Sequence, residues 1–247
     1  MELLKKQFAI DLGCPVSAFE NNENLFVTAN ANNDMRYWTR NNGTIICHEG
    51  HIYCRTDKSE LTKKLQETYQ TTPADWFTEV KNMKKLRAIL SELNYEIINA
   101  SPFLIPCKQS EELIENEHFV YYSEEEIKQF KGDKRFSQSF CFSENDPDKV
   151  AIAYVEDGEI LAMSGANKNG RHTWEIGIEI IGNHQGKGLA TLLVRAITQK
   201  IIELGQGEIL PIYGTQFTHT KSMNVAIRAG YKLGWTEIMI ASSFTRI

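Results

Sequence analysis

The sequence predicts an α+β protein whose strands follow one another as hairpins and a meander, preceded by a further small α+β domain. Three observations carry this. Val150–Val155 and Glu159–Ala166 flank Glu156-Asp157-Gly158, the pattern of an antiparallel hairpin. Trp174 to Ile181 reads as a strand that enters a glycine-rich turn and then an amphipathic helix. Residues 1–100 carry helix and strand patterns of their own, ahead of a proline-containing polar stretch over 101–118.

Taken in order, Leu3, Leu4, Phe8 and Leu12 form one apolar face, and Gly13 supplies a stop for a helix over 2–12. Leu25–Ala29 is a brief apolar run. Thr44–Cys47 and Ile52–Arg55 flank His-Glu-Gly-His as a hairpin. Ser59 is placed as the cap of a helix reaching Tyr69, with Leu61 and Leu65 on one face, and Pro73 suits the start of another helical stretch. Met83, Leu86, Ile89, Leu90 and Leu93 repeat with the helical period, and Tyr95–Ala100 returns as a strand. Pro102, Pro106 and the run Lys-Gln-Ser-Glu-Glu mark a junction, which sets a domain over 1–110 and a second over 111–247. The second opens with Phe119–Tyr122 and a short acidic helix, Ser123–Phe130. The hairpin follows, then a turn at Asn167–Gly170, the strand at 174–181 and the long helix. Ile209–Tyr213 is the next strand, Thr220–Ala229 a second helix, and Thr236–Ala241 a last strand.

Composition excludes several classes. A net charge of −5 argues against a general nucleic-acid binder, which is usually basic. No apolar run approaches the ~20 residues of a membrane span, and the start, Met-Glu-Leu-Leu-Lys-Lys-Gln-Phe, lacks a signal-peptide core. The expectation is a cytoplasmic protein without a membrane partner. Five scattered cysteines then read as reduced thiols, and Asn42-Gly43-Thr44 as a turn rather than a glycosylation site.

Residues 182–191, Gly-Asn-His-Gln-Gly-Lys-Gly-Leu-Ala-Thr, carry the chemistry. The first turn of a helix has unpaired N–H groups and a partial positive charge, so an anion can sit on it. Small residues at Gly186, Gly188 and Ala190 let a ligand approach the backbone. Two nucleotide loops are excluded by spacing. A P-loop needs four residues between its glycine and Gly-Lys, then Ser or Thr; here Gly182 and Gly186 are separated by three, and Gly188 follows Lys187. A dinucleotide fingerprint needs a third small residue where Thr191 stands, and a βαβ unit rather than a meander.

Gln185-Gly186-Lys187-Gly188-Leu189-Ala190 does fit the pattern Gln/Arg-x-x-Gly-x-Gly/Ala, and here the chain resembles the GNAT superfamily of acyl-CoA-dependent N-acyltransferases. Upstream, Trp-Glu-Ile-Gly-Ile-Glu-Ile-Ile resembles the family's fourth strand. Downstream, His219, Ser222, Val225, Ala226, Arg228, Gly230 and Tyr231 follow a pattern frequent in its second helix, Asn-x-x-Ser-x-x-Val-Ala-x-Lys-x-Gly-Phe. The resemblance covers about residues 119–241. It implies a mixed, mostly antiparallel central sheet flanked by helices, with acetyl-CoA as co-substrate and no metal. It also implies that Gln185, Gly186, Lys187, Gly188, Leu189, Ala190 and Thr191 hold the coenzyme A pyrophosphate. The fourth strand is expected to splay from the fifth, so that Ile178 and Ile180 present backbone to the pantetheine arm, and Ser222 joins this cofactor set.

The reaction is then attack of an amine on a thioester, which needs a base. Alternation places Trp174, Ile176, Ile178 and Ile180 on one face and Glu175, Gly177 and Glu179 on the other. Two carboxylates with a glycine between them read as a general base, with room for the acceptor over Gly177. Glu175 is preferred to Glu179, because a glutamate often precedes this Ile-Gly in the family. His219 replaces the usual Asn and adds a group for acid–base work or coenzyme A binding. Some members place a proton-donating Tyr where Ala226 stands; Tyr213, Tyr231 or water is left as substitute. The acceptor is expected to be a small amine, with the N-terminal domain shaping its choice and a homodimer as the assembly. The alternative is a catalytically inactive CoA-binding sensor or interaction module, and a nucleotide-binding phosphotransferase is a third reading.

Other groups are set aside. Cys47, His48, His51 and Cys54 are metal-ligand types, but hairpin alternation scatters them across two faces. His184 reads as a rim residue, His118 and His172 show no partner in the sequence, and no cysteine adjoins an identifiable base. Glu124-Glu125-Glu126 reads as the first turn of a helix capped by Ser123.

Overall fold

The computed structural model describes residues 2–107 and 114–244. The expected junction falls partly on residues 108–113, outside the described residues. The chain forms two compact units, residues 1–103 with 234–247, and residues 104–233.

The first unit begins with α1 (Glu2–Leu12) and contains β1 (Leu25–Thr28), β2 (Gly43–His48), β3 (His51–Thr56), α2 (Ser59–Tyr69), α3 (Val80–Glu92) and β4 (Tyr95–Pro106), the last ending just past its boundary. Its sheet has the order β1-β3-β2-β10-β4, where β10 is Tyr231–Ser242. The β2–β3 hairpin turns on Glu49 and Gly50, both at positive φ as a two-residue turn of this hand demands. Ser59 is the first residue of α2 rather than its cap, a position taken by Lys58 without a side-chain bond. β4 runs on through Pro102, so the expected break at 101 is a longer strand instead. One sheet face, with Ile45, Cys54, Ile238 and Ile240, packs on Leu61, Leu65, Tyr69, Leu86 and Leu90 of α2 and α3. On the other face of β10, the Trp235 ring meets Phe8 of α1 edge-on at 5.3 Å.

The second unit contains β5 (Phe119–Ser123), α4 (Glu124–Ile127), β6 (Asp148–Glu156), β7 (Glu159–Lys168), β8 (Thr173–Ile180), α5 (Leu189–Gly205), β9 (Leu210–Gly214) and α6 (Thr220–Arg228). Its sheet order is β9-β8-β7-β6-β5. β5 to β8 form an antiparallel meander, and β9 returns parallel to β8 after the α5 crossover. Ser123 and Glu126 close a capping box on α4, as the sequence pattern requires. Leu193, Val194, Ile197 and Ile201 give α5 an apolar stripe at the helical period, and it packs on Ile152 and Ile176 of the sheet. Leu193, Val194, Ile197 and Ile201 are fully buried, and each contributes about 1.5–3 kcal/mol of burial. This anchors the start of α5 against β8. Among the described residues no helix is long and apolar enough to cross a membrane.

Candidate active site

The end of β8 and the start of α5 form the site. Gly182, Gly186 and Gly188 all have positive φ, at 59°, 84° and 83°. Gly188 caps α5 in the left-handed conformation. A Cβ at Gly186 or Gly188 would meet nothing within 4 Å, so these glycines serve the turn's shape and leave its concave side clear. The first bond of the helix runs from Leu192 N–H to the Gly188 carbonyl at 3.1 Å. The N–H groups of Leu189, Ala190 and Thr191 therefore precede the helical ladder and point out of its N-terminus. A helix of 17 residues adds its dipole there, worth about 0.3–2 kcal/mol to a bound anion. Lys187 Nζ lies 3.2 Å from His184 Nδ1 on the exposed rim.

The strand beside this turn is open along one edge. β8 pairs with β7 from Trp174 to Ile180, but with β9 only at Thr173–Leu210, Trp174–Pro211 and Glu175–Ile212. Strand parity tells which groups the splay exposes. The His172 carbonyl accepts from Leu210 N–H on the β9 side, and Ile181 N–H donates to Leu161 on the β7 side. Even-numbered residues thus turn their N–H and C=O toward β9. Ile178 and Ile180 are even, and they lie beyond the last β9 pair. An extended polar chain fits that edge as an added strand. This fit, with the open glycine turn, suits a pyrophosphate-bearing pantetheine.

The opposite face of β8 is not open. Gly177 sits directly across from Gly165 of β7, and residues 138–140 cross both. A Cβ at Gly177 would lie 2.1 Å from the Gln138 carbonyl oxygen, and one at Gly165 would lie 2.1 Å from that of Ser139. The expected room for an acceptor over Gly177 is therefore filled by backbone. The glycine is required for that close approach, a pairing of positions 39 residues apart that no local pattern announces.

The two glutamates flank this crossing. Glu175 accepts a hydrogen bond from Asn169 Nδ2, and Asn169 is itself buried at 1% exposure. Asn169 also receives the Thr173 hydroxyl on its carbonyl. It reads in sequence only as a turn residue, and no local pattern marks its bond to Glu175. Glu179 Oε2 accepts from Gln138 N–H at 3.2 Å. His219 is exposed at the start of α6, its N–H on the Gln216 carbonyl at 3.0 Å, and its side chain caps nothing. Ser222 lies one turn on, with its Oγ 2.9 Å from the Tyr213 hydroxyl. Tyr213 is 2% exposed, and burial pushes its phenol above the usual value while the Ser222 bond pulls the other way. Tyr231 is in the core, bonded to Thr198 Oγ1 at 2.6 Å. Ala226 is fully buried.

Of the groups set aside, Cys47 and Cys54 face the α2–α3 cluster, where burial pushes both thiols up to about 12. His48 lies across the hairpin, with Nδ1 2.7 Å from the Gly234 carbonyl. Cys141 bonds the Asp146 carbonyl, and burial pushes its thiol up to about 12, which suits no nucleophile.

A helix N-terminus opened by glycines thus lies beside a parallel strand pair that parts. The chain belongs to the acetyltransferase (GNAT) family, whose model matches residues 107–231. Membership implies acyl transfer from an acyl-coenzyme A donor. Among solved structures, a GCN5-related N-acetyltransferase from Kribbella flavida is 19% identical, with 64% of this chain and 63% of that one covered and a TM-score of 0.45. A GNAT-family acetyltransferase from Colwellia psychrerythraea is 13% identical over 63% and 61%, with a TM-score of 0.41. A GCN5-related N-acetyltransferase-like protein from Streptococcus suis is 9% identical over 96% and 97%, with a TM-score of 0.42. This chain spans about three fifths of the length of the first two. No curated protein sequence matches it.

Proposed function

We propose that the protein transfers an acetyl group from acetyl-CoA to a primary amine, with a small molecule as acceptor. The observation that carries this is the end of the β8–β9 ladder at Glu175–Ile212, beyond which β8 runs on to Ile180 ahead of the glycine-capped start of α5. In this reading the N–H groups from Gln185 to Thr191, with Lys187 at the rim, hold the pyrophosphate. The freed backbone of Ile178 and Ile180 holds the pantetheine, and one N–H polarises the thioester carbonyl.

The amine arrives protonated and must lose a proton before or during attack. Glu175 is the base: it is half-buried on β8 at the point where the ladder closes, and Asn169 fixes its rotamer. A base held this way contributes about 10²–10⁴-fold. Glu179 lies at the far end of the same face, tied to Gln138, and aids by charge. His219 lies at the coenzyme A side of α6. The acceptor enters from a direction other than Gly177, which residues 138–140 cover.

Ala226 gives the second reading, a CoA-binding module without catalysis, its footing, because no phenol stands on α6. One experiment separates the two. Acetyl-CoA at millimolar concentration raises the melting temperature of the wild type, and a panel of amines (a polyamine, an aminoglycoside, a peptide N-terminus) then gives thiol release. Glu175→Gln keeps the melting shift and loses at least a hundredfold in kcat. An unshifted melt defeats the donor assignment; a shift with no release in any amine favours the binding module.

A further inference from the structure

We propose that Ser222 gives the proton to the departing thiolate, and that Tyr213 positions and recharges its hydroxyl. This rests on the acetyl-CoA reading above. The geometry starts from direction. The anion turn lies past the end of β8, so a chain laid along Ile180 and then Ile178 runs back toward Glu175. Ile176 to Ile180 spans ~13 Å of strand at ~3.3 Å per residue. Its reacting end therefore lies where the β8–β9 ladder closes, at Glu175–Ile212. Tyr213 is the next residue of β9, the first beyond that ladder, and its hydroxyl is 2.9 Å from Ser222 Oγ.

Burial assigns the two roles. Tyr213 is sealed at 2% exposure, in edge contact with Tyr231 at 6.2 Å between ring centres. Ser222 is half-buried, so it is the hydroxyl of the pair that a substrate meets. Burial also holds the phenol in its protonated form, which keeps it a donor to Ser222. No side chain of α6 supplies a phenol, and the Tyr231 hydroxyl is committed to Thr198.

The proton balance closes without a further reactant. The amine lone pair forms the C–N bond, and the amine proton passes to the base. The C–S bond breaks with its electron pair on sulfur. Sulfur takes the Ser222 proton and Ser222 takes the Tyr213 proton; once the products leave, solvent at the half-buried Ser222 returns to the pair the proton that the base gives up to solvent. The products are the amide and a free thiol.

The test uses the full chain, acetyl-CoA and the best amine of the panel. Ser222→Ala should lower kcat ten- to a hundredfold while the KM for acetyl-CoA moves less than threefold, and Ser222→Thr should restore most of kcat. Tyr213→Phe should lower kcat less, and the fall in kcat expected of the wild type as its phenol ionises at high pH should be absent from this variant. The double variant should be no slower than Ser222→Ala alone. Wild-type kcat in Ser222→Ala, or a loss carried by KM alone, overturns the proposal and leaves the donor reading standing. A wild type with neither a melting shift nor thiol release overturns both.

Discussion

In the first unit, Asp11, Arg36 and Glu237 are at most 1% exposed and turn on one another; in the second, the N–H groups at the start of α5 and the edge of β8 turn outward with their bonds unmade. Arg36 Nε meets Asp11 at 2.5 Å, and its Nη1 lies 2.8 Å from Glu237 Oε2. Thr44 and Trp235 donate to Glu237 at 2.7 and 3.0 Å, and the guanidinium stacks 4.8 Å over the Trp235 ring. Burial by itself would lower the Arg36 pKa, but the two carboxylates carry it upward. The second site uses no such charge. It presents backbone dipoles, held open by a helix packed on the sheet. The first region pairs opposite charges in the interior, and the second leaves backbone donors facing outward.

The largest expected effect tests the sealed network. Glu237→Ala takes one of its two carboxylates from buried Arg36 and leaves the Thr44 hydroxyl and the Trp235 N–H without their acceptor, and should cost about 3–5 kcal/mol of stability. Urea unfolding measures it. A cost below about 1 kcal/mol would mean that β10 is held by Ile238 and Ile240 on its other face, and the contrast between the regions would weaken.

A smaller effect separates the regions by pH. Cys54 is fully buried in the first unit, and burial pushes its thiol from 9.0 up to about 12, against a pull from Arg55. The folded value exceeds the unfolded one, so the contribution is fully present below pH 9 and is lost as pH rises from there toward 12. Moving from pH 8.5 to 10 should therefore cost about 1 kcal/mol through this group. The urea midpoint of Cys54→Val should fall less over that interval than that of the wild type. An equal fall would assign the loss to other groups.

The two regions also differ in how far their sequence announced them. The hairpin at Asp157-Gly158, the capping box at Ser123 and the stripe along α5 are local patterns, and each formed where its residues stand. The glycine turn was legible for the same reason: positive φ at 186 and 188 is written into the residue type. Glu237 was not, because its partners Arg36 and Thr44, and Asp11 behind Arg36, come from the other end of the chain. The segment over Gly177 and the Tyr213–Ser222 bond likewise depend on packing between elements, and no spacing rule encodes them.

The smallest expected change in stability tests the open turn. Gly188 sits at φ 83°, and a Cβ there meets no atom within 4 Å. Gly188→Ala therefore creates no clash, and its cost is the ~1–2 kcal/mol that an L-residue incurs in the left-handed region. The turn is exposed on its outer side, so it can relax rather than bear that strain. Relaxation turns the N–H groups away from their common focus. The unfolding free energy from urea titration should then fall by less than about 1 kcal/mol, while acetyl-CoA affinity falls about tenfold, the equivalent of about 1.4 kcal/mol. Calorimetric titration measures the second quantity. If stability falls and affinity holds, the turn is a rigid part of the fold like the Arg36 network, and its glycines serve folding rather than the ligand.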